Sequence, residues 1–500
     1  MSSIAASVIL EQSVATRSEV LDELLRRPAG TEGRKKRRAA YTKKPRRGNV
    51  DDVGQAQWRI PISEDVWEEL RRPERYNESS WDGKRFQSIY GVPAIIFDQL
   101  VAEARMHATL VGKETLGDGR KGPISKPLEL KVAATLEMCQ AGYLFKTSER
   151  LYRISYQVLE QFFYDFTRLQ VLFEYPKHVY PPQARADIDR ILSRHAALGY
   201  PGAISMFDGT KWEWAACPHA WQFAHTGKES YPTKNYMVAG DMNSIIHHIA
   251  GSEVGGRNDM TCSHFDEYMQ SIKNGSRYAD EVFDLYKGDG SGEKVQHRGL
   301  WCICDNGFHQ WRICQCPSKV ASEEWLKRWS KRFESVRKPG TECIYGRLKK
   351  RFRILALPST FAETHKMDNL FRFLASLHNR LQRHYGLDSI GAEPGDWKAA
   401  NTHLDDTRIA RENHQNNIIP LMRNRGLPQI VDDEALGNTI VPEFEASWGS
   451  LRGALVNHFK EAWQKEELLW PRTAEDCRPN YRLNPAIRRT GREVQEEDAE

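Results

Sequence analysis

Apolar positions divide the chain into four stretches. Residues 1–60 are polar and show no period, which predicts a disordered arm. Residues 62–195 carry a helical period. Ile95, Ile96, Leu100 and Val101 fall on one face of a helix within 62–110, and a Gly/Lys/Pro loop follows at 112–127. The period resumes at Leu128 and runs to about Gln140. Gly142 then offers a turn, Thr147 or Ser148 a cap for a short helix, and Ser155 a cap for a longer one. In that helix Leu159, Phe162, Phe163, Phe166 and Leu169 make one apolar stripe. Short helices around a glycine turn fit a helix-turn-helix unit, and they fit an ordinary helical bundle too. The outward positions Gln157, Glu160, Gln161 and Tyr164 offer no cation to a phosphate.

The period changes near Pro201. Ala203–Phe207 is a short apolar strand ending in Asp208. Asn235–Ala239 and Ser244–Ala250 read as two strands joined at Gly240–Asn243. A helical stretch follows at 264–287, then a Gly-rich surface loop at Lys287–Gly299, then the strand Leu300–Cys304 ending in Asp305. Helices are predicted over Ser318–Phe333, Thr341–Arg351 and Met367–Tyr385, the last with Leu370, Leu374, Leu377 and Leu381 on one face. Residues 200–386 therefore read as a mixed α/β domain. Residues 387–500 are a polar linker followed by a helix over Trp448–Leu469, with no role assigned.

Composition narrows the class. A length of 500 residues allows about three domains. The longest apolar runs, such as Ile4–Leu10, are far short of the ~20 residues of a membrane helix, so no membrane association is expected. Nine cysteines predict reduced thiols in the cytosol or nucleus. Cys302, Cys304, Cys314 and Cys316 lie close together, but the C-x-C spacing is unusual for zinc, and buried strand positions explain them as well.

Charge is unevenly placed. The chain carries a net +5, yet its first 50 residues hold 12 Lys/Arg against 5 Asp/Glu, so the other 450 sum to −2. The excess is one run: Arg34, Lys35, Lys36, Arg37, Arg38, Lys43, Lys44, Arg46 and Arg47. Such a run predicts a nuclear address or a nucleic-acid arm, or else a solvated tail.

The chemistry is acidic. Two strands lead into Asp208-Gly209 and Asp305-Asn306-Gly307, and Glu342 opens a later helix. Strand-end carboxylates brought side by side need a cation, and hard oxygen donors select Mg²⁺ or Mn²⁺. Paired ions of this kind suit phosphoryl displacement. On spacing alone, an Asp before Gly is equally a turn device. His247 and His248 are adjacent on a strand and point to opposite faces, so they make poor joint ligands. Gly251–Gly256 lacks the Gly-Lys-Ser/Thr of a P-loop.

The local sequences are more specific. They are Met206-Phe-Asp-Gly-Thr-Lys-Trp-Glu-Trp-Ala-Ala-Cys-Pro-His-Ala-Trp-Gln222, Tyr231-Pro-Thr-Lys-Asn235, Gly251-Ser-Glu-Val-Gly-Gly-Arg-Asn-Asp259 and Cys304-Asp-Asn-Gly-Phe308. Then come Glu342, Tyr345, Gly346, Leu348, Lys349, Arg351 and Phe352 in one helix, and Leu377-His378-Asn379. This succession resembles the PIF/Harbinger transposases and the nucleases derived from them, over about residues 85–400. The resemblance implies an RNase H-like mixed sheet, preceded by an all-α helix-turn-helix-like domain. It implies a DDE site of Asp208, Asp305 and Glu342, with Asp259 as a fourth metal ligand, that cuts double-stranded DNA using Mg²⁺ or Mn²⁺. It also implies a Myb-like DNA-binding partner. Lys211, Arg347, Lys349, Lys350, Arg351 and Arg353 are the expected phosphate contacts. Trp212, Trp214 and Trp221 are expected in the core rather than as stacking platforms. The rival reading is a domesticated, catalytically silent DNA-binding or chromatin-associated protein.

Overall fold

The computed structural model describes residues 64–111, 126–389 and 442–470. The basic run Arg34–Arg47 lies outside these residues. Helices come first: α1 (Glu64–Arg71), α2 (Trp81–Tyr90), α3 (Ala94–Arg105), α4 (Leu128–Ala141), α5 (Phe145–Tyr152), α6 (Tyr156–Phe173) and α7 (Arg185–Ala197). Next are β1 (Ala203–Glu213), α8 (His219–His225), β2 (Thr233–Gly240), β3 (Ile246–Ile249), β4 (Glu253–Val254), α9 (Asp259–Phe265) and α10 (Glu267–Lys273). The chain continues through β5 (Val282–Tyr286), β6 (Lys294–Arg298), β7 (Trp301–Ile303), β8 (Cys314–Gln315), α11 (Glu324–Arg337), α12 (Glu342–Arg351), α13 (Thr364–His384) and α14 (Pro442–Gln464).

One mixed sheet organises the α/β part. Its order is β3-β2-β1-β7-β8, with β4 on β2. β1–β2 and β2–β3 are antiparallel, whereas β1–β7 and β7–β8 are parallel. Side chains alternate between two cores, as the pleat requires. Tyr236, Val238, Trp212 and Trp214 join α2–α6, α12 and α13 in one cluster. Met237, Ala239, Ile204 and Met206 face the other, with α7, α10, α11 and α14.

Several expectations are corrected. Ile95 is exposed while Ile96, Leu100 and Val101 are buried, so the stripe of α3 is narrower than predicted. α5 begins at Phe145, which puts Thr147 and Ser148 inside it rather than at its cap. Ser155 sits at the start of α6, but Glu149 Oε1 rather than its hydroxyl takes the first amide, that of Tyr156, at 3.1 Å. β1 does not stop at Asp208: its pairing with β2 continues to Glu213, with Thr210, Trp212 and Trp214 buried on alternate positions. The tail of the predicted 264–287 helix is strand β5, and the Gly-rich loop contains β6. Together they form a hairpin from Val282↔Arg298 to Tyr286↔Lys294.

The four neighbouring cysteines are core residues. All are buried, and Cys302 pairs with Cys314 across β7–β8. Burial pushes the Cys316 thiol up to about 11 and holds those of Cys302 and Cys304 well above the ordinary thiol range. Such thiols behave as small apolar side chains.

The His378-Asn379 pair is a clamp. Asn379 Oδ1 accepts from Ile246 N (2.9 Å), and its Nδ2 donates to Ile246 O (2.7 Å) and His178 O (2.9 Å). It thereby gives edge strand β3 a surrogate backbone partner. His378 Nε2 donates to Ser244 O (2.9 Å), which leaves Nδ1 to accept from Arg351 Nη1 (3.1 Å). Asn379→Ala leaves Ile246 N–H and C=O buried without these bonds, so a loss of about 1–3 kcal/mol is expected in urea unfolding.

The C-terminal helix closes the other edge. Leu451, Leu455, Phe459 and Ala462 of α14 are buried in the second core. Trp448 Nε1 donates to Cys314 O of β8 (2.9 Å), and Trp470 Nε1 to Leu198 O (2.8 Å). The hairpin docks on the same helix, with Tyr286 N donating to His458 Nδ1 at 3.1 Å. Among the described residues, no helix is long and apolar enough to cross a membrane.

Candidate functional site

Parallel pairing of β1 with β7 puts Met206 opposite Ile303. Two residues further along the chain from each lie Asp208, within β1, and Asp305, just past the end of β7. Each carboxylate is oriented by a following amide: Asp208 Oδ1 accepts from Gly209 N (2.8 Å) and Asp305 Oδ1 from Gly307 N (2.7 Å). Asp259 arrives from a third element. It is the first residue of α9, whose start is set by Asn258 Oδ1 accepting from Thr261 N at 2.8 Å.

The two glycines show how closely the three acids sit. A β-carbon at Gly209 would lie 2.8 Å from Asp259 Oδ1. One at Gly307 would lie 3.2 Å from Asp259 Oδ2 and 2.9 Å from Asp305 Oδ1. Asp259 is thus lodged between the backbones that follow the other two aspartates, where only glycine leaves room. Gly209→Ala must displace Asp259 or Asn235, so a stability loss of about 1–3 kcal/mol is expected in chemical denaturation.

Electrostatics confirms the crowding. Burial pushes the Asp208 carboxyl up to about 7, against the pull of Arg337 and with further upward pressure from Asp305 and Asp259. Burial and then Asp305 raise the pKa of Asp259, which Lys228 and Lys211 partly offset.

Glu342 stands apart from this trio. It opens α12, is half exposed, and is tied to the site through Arg337. The guanidinium of Arg337, 8% exposed, contacts three carboxylates: Asp208 Oδ2 at 3.0 Å, Glu342 Oε1 at 2.8 Å and Glu334 Oε2 at 3.1 Å. Tyr345 Oη donates to the carbonyl of Asp208 (2.7 Å) and fixes α12 against β1. As placed, no three His, Cys, Asp or Glu side chains among the described residues could hold an ion together. The donor set is nevertheless right in kind for a hard divalent cation: adjacent carboxylates, two of which, Asp208 and Asp259, are pushed up by burial and by their acidic neighbours. Arg337 supplies the positive charge for Asp208 and Glu342.

Neither Arg337 nor Tyr345 was singled out as a site residue by sequence reasoning. Arg337 is one of two basic residues side by side near the end of α11, and no spacing rule distinguishes it from a solvated cation. Tyr345 had a signal, since it lies one helical turn after Glu342.

The expected phosphate contacts divide into two groups. Arg347, Lys349, Lys350 and Arg353 are exposed on and just beyond α12. Lys211 is engaged by Glu229 Oε2 (2.7 Å) and Gly255 O (2.8 Å), and Arg351 turns inward to His378. Trp212 and Trp214 are buried as expected, whereas Trp221 is 52% exposed on α8.

Residues 177–384 match the model of a family described as plant transposon protein. The matched span contains all four acids, Arg337 and the His378-Asn379 clamp. The match supports a transposase-related family. No curated protein and no solved structure gives a significant match.

Proposed function

We propose that this chain is a divalent-metal-dependent DNA endonuclease of the PIF/Harbinger transposase type, with an RNase H-like catalytic sheet. The observation that carries the reading is the convergence of Asp208, Asp259 and Asp305, from three separate elements, beside the end of β7. The strand order and the change from antiparallel to parallel at β1 support the fold assignment.

Asp208, Asp259, Asp305 and Glu342 are the residues that would hold Mg²⁺ or Mn²⁺. When bound, such ions supply Lewis-acid stabilisation to the attacking and leaving oxygens of a phosphodiester. The chain's own contribution is positioning. Asp208 and Asp305 extend from paired strands and are oriented by local amides, so little freedom remains in the donor atoms. Arg337 offsets negative charge at the site, which lowers the repulsion of an incoming polyanion. Arg347, Lys349, Lys350 and Arg353 would hold backbone phosphates without reading sequence.

The specific observation that favours the alternative, a silent DNA-binding protein, is that Arg337 already neutralises Asp208 and Glu342. One experiment separates the two readings. Supercoiled plasmid is incubated with the full chain in Mg²⁺, in Mn²⁺ and in EDTA. The enzyme reading expects nicked and linear products with either metal and none in EDTA. Asp305→Asn should slow cutting by more than about a hundredfold, since even outer partners of metal ligands cost up to that much. Mobility shifts without any cutting would establish the silent reading. Nuclear localisation through Arg34–Arg47 and assistance by a Myb-like protein belong to the same proposal.

A further inference from the structure

The short helix α8 turns nearly all of its side chains outward, and His225 is its one buried residue. Two large rings are among those left in solvent. Trp221 is half exposed, and Phe223, at 73%, is the most exposed aromatic side chain of the described residues. Burying a Phe side chain is worth about 1.5–3 kcal/mol, which this position forgoes.

The helix itself is well fixed. His225 Nδ1 donates to Thr233 O of β2 (2.9 Å), and Gln222 Nε2 donates to Cys217 O (3.2 Å). Trp221 leans on the buried Trp214, with ring centroids 6.1 Å apart. Two residues along a helix is a turn of about 200°, so Phe223 faces away from that contact. The rings are thus held on a rigid support and are not paired with each other.

The acids are close by. Gly256 N donates to Ala224 O at 3.1 Å, and Asp259 follows three residues later. At up to ~3.6 Å per residue, the last turn of α8 and the Asp259 backbone are within roughly 11 Å. Lys228, three residues past α8, is exposed and close enough to act on the Asp259 carboxyl together with Lys211.

This arrangement suits a base better than a protein partner. Rings about 200° apart form no i, i+3, i+4 stripe, so a groove in another protein would find one anchor on each face. A base needs only one flat π-face, and platforms for single strands combine such faces with cations along the backbone. At about 3.4 Å of rise per nucleotide, a base on α8 would lie about three nucleotides from a phosphate at the acids.

We propose that Phe223, with Trp221 as a second ring, stacks on an unpaired base of the DNA strand a few nucleotides from the phosphate at the acids. The inference rests on the DNA-cleavage reading and deepens it, by naming a substrate that is unpaired beside the cut. Phe223 suits the test because so exposed a ring contributes little to the fold.

The full chain is assayed in EDTA, so that cleavage plays no part. Anisotropy follows its binding to a blunt duplex and to the same duplex with a single-stranded end of about four nucleotides. Wild type should bind the tailed duplex about fivefold or more tightly than the blunt one. Phe223→Ala should remove this preference and leave the affinity for blunt duplex unchanged. Phe223→Trp should keep the preference. Phe223→Leu should lose it, because leucine retains apolar bulk without a π-face. The gap between wild type and Phe223→Ala should be the same at every salt concentration, since stacking releases no counterions. Equal affinity of wild type for the two DNAs, or a preference that survives Phe223→Ala, would overturn the inference and leave the cleavage reading standing. A Phe223→Leu chain that binds like wild type would also overturn it, and would make α8 a general apolar contact face. Binding to neither DNA would overturn the cleavage reading as well.

Discussion

Asp208→Asn is expected to abolish DNA cleavage and at the same time to stabilise the metal-free protein at pH 8. The carboxyl is buried, and its pKa is pushed up to about 7 from 3.8. The folded state therefore holds a proton that the unfolded state releases. The stability this gives is fully present below the unfolded pKa and is lost as pH rises from about 4 to about 7. The displacement corresponds to on the order of 4 kcal/mol at most. Asparagine keeps the shape and never ionises, so it removes this penalty. Urea unfolding in EDTA at pH 5 and pH 8 should show wild type losing stability relative to the variant at the higher pH. Equal pH slopes for the two proteins would contradict the buried, charge-crowded placement of Asp208. Cleavage at wild-type speed would remove Asp208 from the active site altogether.

The second large effect is expected at Arg337. Replacing it by Met deprives Asp208 and Glu342 of their shared cation and leaves a buried carboxylate facing Asp259 and Asp305. Breaking a buried pair in this way costs about 3–5 kcal/mol. Most of the loss comes from Asp208, because Glu342 is half exposed and solvent screens it. Arg337→Lys should recover only part, since an ammonium cannot present a fork to three carboxylates. Added Mn²⁺ should then raise the melting temperature of Arg337→Met more than that of wild type, because the ion restores charge that only the variant lacks. An equal response in both would mean that Arg337 and the ion do not share the same carboxylates.

These effects depend on features that differ in how visible they are along the chain. The apolar stripe of α6 is plain in sequence because Leu159, Phe162, Phe163, Phe166 and Leu169 all face one core. The meeting of Asp208 with Asp305 follows from two apolar segments, Ala203–Phe207 and Leu300–Cys304, that pair in parallel and each run into an aspartate. The continuation of β1 is harder to see. Asp208-Gly209 has the chemistry of a turn, yet Thr210, Trp212 and Trp214 keep the two-residue period and the pairing with β2 carries the chain straight through. The β5–β6 hairpin is hidden for a related reason: its glycine-rich turn dominates local composition, and only Phe283, Leu285 and Tyr286 of β5 are buried, while β6 buries none. Arg337 could not be found by pattern at all. Its role exists only because α11 ends beside β1, a tertiary fact that leaves no periodic trace. The outward turn of Trp221 is equally tertiary, since Trp is usually drawn into a core when one is within reach.

Among the described residues, the helix that closes the β8 side of the sheet is the last element, well beyond the family-matched span. A ribosome must therefore synthesise the chain through α14 before the sheet acquires this cover. Until then the partly made protein carries an open strand edge beside unfilled apolar positions at Trp329, Phe333 and Cys314, a state prone to wrong association. A frameshift or stop codon falling after Glu342 and before residue 442 would spare every candidate acid and still deprive them of a finished scaffold.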